Sequence, residues 1–157
     1  MPLGSSRGWY LNLKSPAAAG GYKGERQVSN TTVRAGKVIF TTLIPDDDPC
    51  GSGGASWLME LDALSGGRLK TSPFDVNNDG KFDEKDMVTP TGTTQPLPAS
   101  GVQPDSGITP APGILLSADG KKEFKYNPGA GADGAISVTV ENPGTAPSGR
   151  QSWRQVR

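Results

Sequence analysis

Thr31-Thr32-Val33-Arg34-Ala35-Gly36-Lys37-Val38-Ile39-Phe40-Thr41-Thr42-Leu43-Ile44 is the stretch that decides the fold. β-Branched residues lie on both sides of a short turn that contains glycine. Such residues suit the pleated surface of a strand, and a glycine turn between two of these runs is typical of a β-hairpin. The stretch therefore predicts strands at Thr31–Arg34 and Val38–Ile44, joined by the turn Ala35-Gly36-Lys37.

Further short strands are predicted on both sides of this hairpin. Ile136, Val138 and Val140 alternate with polar residues, which indicates a half-buried strand with a period of two. Apolar residues do not recur at helical spacing over three turns, so the sequence predicts an all-β class. The other predicted strands are Trp9–Leu13, Trp57–Asp62, Ile114–Leu116, Lys122–Tyr126 and Gln151–Val156.

The chain is expected to form one domain with a modest core. It has 157 residues, of which 22 are glycine and 14 are proline, and only 33% are apolar. Residues 1–6 resemble a cloning remnant and are left out of the fold, which leaves 7–157 as the domain. The proline-rich interval of about 89–113 is predicted to be a long irregular insertion.

Charge and residue usage exclude several classes of function. Lysine plus arginine equal aspartate plus glutamate at 16 each, so nothing favours nucleic acid as a partner. No apolar run is long enough to span a bilayer. The chain has no histidine, which removes histidine-dependent catalysis and histidine metal sites. Cys50 is the single cysteine, so its partner lies outside this chain or its thiol is free.

The segment Asp75–Asp86 has the spacing of a 12-residue calcium loop. Calcium prefers six to eight oxygen ligands, and this pattern supplies them at alternate positions, with Gly80 at the sharp reversal. We predict that Ca2+ is the ion. The predicted ligands are Asp75, Asn77, Asp79, the backbone carbonyl of Lys81, Asp83 and Asp86.

Two features separate this loop from a complete EF-hand. The twelfth position is usually a bidentate glutamate, and Asp86 is one methylene shorter, so it reaches with one oxygen or not at all. Pro73 and the glycines at 66 and 67 oppose an entering helix, so we expect an EF-hand-like loop between strands. The alternative is an aspartate-glycine turn that binds no ion.

Several segments, in order along the chain, resemble the C-terminal domain of the PilY/PilC family of type IV pilus biogenesis factors and tip adhesins. The resemblance covers residues 8–88 and the last nine residues. The similar segments are Gly8–Leu13, Gly24–Arg26, Val38–Pro45, Asp48–Cys50 with Gly53-Gly54, Ser56–Asp62, Phe74–Asn77 and Gly149–Gln155.

The resemblance implies a quinoprotein-like β-propeller, of which this chain would be the C-terminal blades. It also implies a secreted bacterial protein at the pilus tip or outer-membrane surface, without enzymatic activity. Such a protein supports pilus extension, twitching motility and attachment, with minor pilins and host surface receptors as partners. Exposed strand edges of a partial propeller also offer a route to self-association.

Two other functions remain open. Leu61–Gly66 is similar to the strand-turn repeat of quinoprotein dehydrogenase propellers, which would make the chain an enzyme fragment. The calcium loop is also similar to that of dockerin, a calcium-dependent cohesion module. Dockerins carry two such loops with helices, whereas this sequence contains one loop.

Overall fold

The structure of this chain is a computed structural model that describes residues 8–14, 22–46, 53–130 and 135–144. Within these residues the regular structure consists of β-strands and one short 3-10 turn, so the predicted all-β class is confirmed. The strands are β1 (Arg26–Gln27), β2 (Thr32–Arg34), β3 (Lys37–Leu43), β4 (Leu58–Asp62), β5 (Met87–Val88), β6 (Leu97–Pro98), β7 (Gly101–Val102), β8 (Gly113–Leu116), β9 (Glu123–Pro128) and β10 (Ile136–Glu141).

The predicted hairpin is confirmed as β2 and β3, which pair antiparallel with Arg34 opposite Lys37. Its turn is one residue shorter than predicted, because Lys37 already belongs to β3. The two connecting residues, Ala35 and Gly36, both have positive φ, at 49° and 76°. Positive φ at both positions is the geometry of a type I′ turn, whose twist matches that of the flanking strands.

The larger sheet is built around this hairpin. Its strand order is β1-β3-β4-β7, and β2 also pairs with β3. β4 confirms the predicted strand Trp57–Asp62, except that it begins at Leu58. The turn after β4 is held by Asp62, whose carboxylate accepts hydrogen bonds from the backbone N–H groups of Ser65 (2.7 Å) and Leu64 (3.1 Å).

The interval of about 89–113 contributes to this sheet although it was predicted to be irregular throughout. It supplies β7, which pairs with β4 in the larger sheet, and β6, which pairs with β5 in a separate two-stranded sheet. Ala99 lies in the hydrophobic core with Ile39, Leu58 and Phe74. β6 ends at Pro98, which donates no ladder hydrogen bond.

The smaller sheet has the strand order β10-β9-β8. The predicted strands Ile114–Leu116, Lys122–Tyr126 and Ile136–Val140 are confirmed within one or two residues as β8, β9 and β10. All three pair antiparallel, with Val138 opposite Tyr126 in the centre of the sheet.

The two sheets meet through polar side chains. β9 buries Glu123, Lys125 and Asn127, and β10 buries Glu141. The period of two in β10 is therefore present, but the polar residues point inward and Ile136 and Val138 remain exposed. The apolar core beside this polar layer is small, as the low apolar content predicts.

The predicted strand Trp9–Leu13 is wrong. Residues 8–14 form no ladder. The side chains of Trp9, Leu11 and Leu13 line a cavity with Val38 and Phe40 of β3. Trp9 is held by its side chain, because its indole N–H donates to the Ala63 carbonyl at 3.1 Å. The indole also covers Gly66, where a Cβ would overlap the ring. Aromatic enrichment predicted a strand, but no backbone partner is present for this segment among the described residues.

Several sequence predictions fall outside the residues that the structure describes. They concern the remnant at 1–6, Cys50 and the strand Gln151–Val156. In the described part of the chain, no helix is long and apolar enough to cross a membrane.

Candidate metal centre

The segment Asp75–Asp86 is a loop that starts at the junction of the two sheets. Phe74, fully buried just before it, forms an isolated bridge with Glu141 at the end of β10. The N–H of Asp75 then donates to the Val140 carbonyl at 3.2 Å. The described residues before the loop form no helix, so the predicted absence of an entering helix is confirmed.

Asp75 and Asp86 curl the loop and close it. The carboxylate of Asp75 accepts hydrogen bonds from Asp79 N (3.0 Å) and Gly80 N (2.8 Å). The Asp86 carboxylate, which is completely buried, accepts from Val76 N (2.8 Å) at the start of the loop and from Asp83 N (3.0 Å) near its end. The bond from Val76 N to Asp86 therefore closes a hydrogen-bonded ring between the start and the end of the loop.

The other predicted ligands lie on the exposed side of this ring. Asn77 Oδ1 accepts from Asp79 N at 2.9 Å, and Asp79 Oδ1 accepts from Lys81 N at 2.9 Å. Asp83 Oδ1 accepts from Lys85 N at 2.9 Å and caps a 3-10 turn at Glu84–Asp86. Each of these side chains bonds to the backbone two residues on, as Asx-turns do.

Backbone geometry supports the reversal that the sequence predicts. Asn78 and Gly80 have positive φ, at 58° and 77°. Asparagine and glycine tolerate this region better than other residues do. The ammonium group of Lys122 lies close to Gly80, 2.7 Å from where a Cβ would stand, so this lysine borders the loop.

The chemistry of the donor set fits a hard cation. All of the predicted side-chain ligands offer carboxylate or amide oxygens. Each oxygen that accepts one N–H hydrogen bond keeps a second lone pair with which it can bind an ion. A hard divalent cation such as calcium prefers such oxygens. Asp79 and Asp83 are exposed, so a cation reaches them from solvent without an entry path through the protein.

A second acidic group lies between the sheets, and sequence reasoning missed it. Oxygens of Glu60, Glu123 and Glu141 come within 4.8 Å of one another, and all three residues are fully buried. Among the described residues, no other three carboxylates lie so close together. The ammonium group of Lys125 contacts all three of them, at 3.3 Å for Glu123.

Two more cations complete this buried network. Lys37 Nζ lies 2.8 Å from Glu60 Oε2, and Arg34 Nε lies 2.7 Å from Glu123 Oε2. Burial lowers the pKa of Lys125 from its usual 10.5, and the Glu60 carboxylate opposes that shift. Three carboxylates face three cationic side chains, so the group is balanced by protein charges and we assign no metal to it.

The spacing of these residues explains why the sequence did not reveal the network. Lys125 and Glu60 are 65 residues apart and lie on different sheets. A charged residue in an alternating strand is ordinarily assigned to the solvent side. The available signal was the strand Glu123-Phe124-Lys125-Tyr126-Asn127, whose polar side carries charges of both signs.

Comparison with known proteins relates this chain to type IV pilus biogenesis factors. PilY1 of Pseudomonas aeruginosa is 32% identical over 149 residues, which is 95% of this chain and 12% of the relative. A PilY1 homolog of Xylella fastidiosa is 30% identical over 152 residues, or 95% of this chain and 11% of that protein. No family model matches the chain.

The chain is homologous to PilY1, and the predicted resemblance to the PilY/PilC family is confirmed. The crystal structure of the Pseudomonas aeruginosa PilY1 C-terminal domain has the same fold, with a TM-score of 0.60 and 21% identity. That match covers 80% of this chain and 22% of the solved chain. The chain spans about 12% of the length of the curated relatives.

Proposed function

We propose that this chain is a calcium-binding, non-enzymatic module of a type IV pilus biogenesis factor. The homology to PilY1 supports the pilus role. In this proposal the module lies at the pilus tip or the outer-membrane surface, where it supports pilus extension, twitching motility and attachment. Its partners would be minor pilins and host surface receptors.

We also propose that the sheets are part of a β-propeller. The larger sheet contains the antiparallel path β1-β3-β4-β7, which has the four strands of one propeller blade. Its loops and short strands suit a module that offers surfaces for binding. In support of a non-enzymatic role, the sequence has no histidine, which is the commonest general base in enzymes.

One observation carries the calcium proposal: the loop Asp75–Asp86 is tied at both ends to the junction of the sheets. At its start, Asp75 N bonds to Val140 O at 3.2 Å on β10. At its end, the Asp86 carbonyl accepts from the buried Ser72 hydroxyl at 3.1 Å, and that hydroxyl also bonds to Phe74 O. An ion that binds only the closed loop therefore stabilises the contact between β10 and the larger sheet.

The test is calcium titration by calorimetry on chelator-stripped protein, with Asp79→Asn as the variant. Asparagine retains the oxygen that accepts from Lys81 N but removes the charge, so the loop conformation is preserved. We expect one ion per chain, a higher melting temperature with calcium, and affinity in the variant reduced about tenfold, because ligand charge tunes calcium affinity.

Asp119→Asn is a matched control. Asp119-Gly120-Lys121 repeats the triplet Asp79-Gly80-Lys81, and Asp119 Oδ1 accepts from Lys121 N at 3.0 Å in the same way. This variant should bind calcium as the parent chain does. Absence of binding by the folded parent chain, or equal loss of affinity in both variants, would refute the calcium site.

The pilus role needs a separate experiment in cells. Replacing the matching stretch of Pseudomonas aeruginosa PilY1 with this chain should preserve surface pili and twitching, because the two are homologous over 95% of the chain. The same exchange carrying Asp79→Asn should make twitching less sensitive to added calcium. A stably produced hybrid without pili would contradict the proposed role.

A further inference from the structure

A lysine from a distant part of the sequence borders the loop Asp75–Asp86. Lys122 ends the turn before β9, where its N–H donates to Ser117 Oγ at 2.9 Å and its carbonyl accepts from Ser117 N at 2.8 Å. These two bonds fix its backbone. Its side chain is half-buried, and its ammonium group lies 2.7 Å from where a Cβ of Gly80 would stand. The fold therefore brings one more cation to the acidic loop.

The charge of Lys122 is close to the loop but is not paired with it. None of the ion pairs among the described residues includes this lysine. Gly80, which its ammonium group approaches, donates its N–H to Asp75 Oδ2 at 2.8 Å. With covalent bonds of about 1.5 Å, the ammonium nitrogen is at most about 9 Å from that carboxylate oxygen. Lys122 therefore acts on the loop through its charge and not through a bond.

The loop has an excess of negative charge on which this cation acts. Its twelve residues contain five carboxylates and two lysines. Carboxylates this close repel each other, and a nearby cation offsets part of that repulsion. The same cation repels a calcium ion that binds the carboxylates. One lysine outside the loop therefore has opposite effects on the loop without calcium and on the loop with calcium.

We propose that Lys122 determines the calcium affinity of the loop: it partly neutralises the loop without calcium and weakens calcium binding by electrostatic repulsion. This inference rests on the proposed calcium site. Even at about 10 Å in a water-like dielectric, repulsion between a single and a double charge lowers affinity about fourfold, and closer approach lowers it further. Such weakening shifts the site towards the dissociation constants of about 10⁻⁴ to 10⁻³ M that extracellular calcium modules have.

The experiment is calcium titration by calorimetry on the whole, chelator-stripped chain at low ionic strength, with Lys122→Gln as the main variant. Glutamine keeps a polar side chain at the position and removes the charge. We expect this variant to bind calcium about fourfold more tightly than the parent, or tighter still. Lys122→Arg keeps the charge, and the ammonium group has no hydrogen bond that arginine would break. Its affinity should stay within about twofold of the parent value.

Lys121→Gln is the matched control, because it removes the same charge from the neighbouring residue of the same turn. Lys121 is exposed, so solvent screens its charge more than that of the half-buried Lys122. We expect the calcium affinity of this variant to differ from that of the parent by about twofold at most. Circular dichroism checks that the variants are folded, and Lys122→Met replaces Lys122→Gln if the latter unfolds.

Salt and melting temperature distinguish an electrostatic role of Lys122 from a structural one. The gain in affinity of Lys122→Gln should shrink at about 0.5 M NaCl, where the Debye length falls to about 4 Å. In chelator, Lys122→Gln should melt below the parent, because the loop has lost a compensating charge. Saturating calcium should then raise its melting temperature by more than it raises that of the parent.

The outcomes separate this inference from the calcium site on which it rests. Equal calcium affinity of Lys122→Gln and the parent overturns the role of Lys122 and leaves the calcium site in place. A gain in affinity that Lys122→Arg shares, or that does not change with salt, also overturns it, because the effect would then come from packing. A folded parent chain that binds no calcium overturns the site and the inference together.

Discussion

At the residue scale, Lys125 joins the two sheets, because it lies on β9 and its ammonium group contacts Glu60 on β4. Among the residues that the structure describes, its ammonium group is the one cation that contacts Glu60, Glu123 and Glu141 together. Burying three carboxylates is costly unless cations neutralise them, and removing one partner of a buried ion pair leaves an uncompensated charge. We therefore expect the network to make the packing specific, since each charge accepts only a partner of opposite sign.

Lys125→Met should destabilise the chain severely. The methionine fills the space but leaves the three carboxylates with Lys37 and Arg34 alone, so we expect a loss of about 3–5 kcal/mol in the free energy of unfolding. Urea denaturation measures this. Lys121→Met, in the exposed turn before β9, should stay within about 0.5 kcal/mol of the parent. Equal stability of the two variants would show that the network does not hold the sheets.

Ala35 is a residue whose replacement should improve the fold. It has a φ of 49°, in the left-handed region that alanine disfavours. Asparagine is preferred at this position of a type I′ turn, so Ala35→Asn should raise the free energy of unfolding by about 0.5–1 kcal/mol. Ala118→Asn, in a turn where φ is not positive, should have no such effect. Thermal melts compare the two, and equal gains would contradict the turn assignment.

At the scale of single elements, the turn after β4 makes stability sensitive to acid. The Ser65 hydroxyl, and then the Ser65 N–H, donate to the Asp62 carboxylate and lower its pKa from 3.8. A carboxyl group whose folded pKa lies below its unfolded value stabilises the fold above the unfolded value. That contribution is lost as pH falls through the folded pKa.

We therefore expect Asp62→Asn to be less stable than the parent near about pH 6, and to approach the parent as pH falls below 3.8 and through the lowered folded pKa of Asp62. Ser65→Ala removes the donor with the largest effect, so it should reduce the acid-dependent part of the difference. Urea denaturation at a series of pH values measures the free energy of unfolding of both variants and of the parent. A gap between parent and Asp62→Asn that does not change with pH would rule out this role for the carboxylate.

The elements that sequence reasoning predicted are those fixed by local chemistry. Gly36 and the β-branched residues around it specify the β2–β3 hairpin, and the aspartate spacing of 75–86 specifies the loop. The side of β9 and β10 that points inward is not fixed by local chemistry, because an alternating strand keeps its period of two with either side inward. Glu60 and Lys37, far away in the chain, select the polar side. The segment Trp9–Leu13 was misassigned for a related reason, since its indole contacts replace the ladder.

At the scale of the whole molecule, the candidate site and the fold share one junction. The loop Asp75–Asp86 begins where β10 meets the buried residue Phe74, and Glu141 belongs both to that bridge and to the ion network. Closing the loop on an ion would therefore stabilise the packing of the sheets and not the loop alone. In this arrangement calcium would hold the two sheets together.

The most direct test of this account is amide hydrogen exchange with and without saturating calcium, followed by NMR. Asp75 N bonds to Val140 O at 3.2 Å and Asn142 N bonds to Pro73 O at 2.8 Å, so both amides report on the junction. We predict that calcium slows both about tenfold or more, while the amide of Ile44, which bonds to the Ala55 carbonyl at 2.8 Å, is unchanged. Unchanged exchange at Asp75 and Asn142 in folded protein with calcium would contradict the proposal that calcium holds the two sheets together.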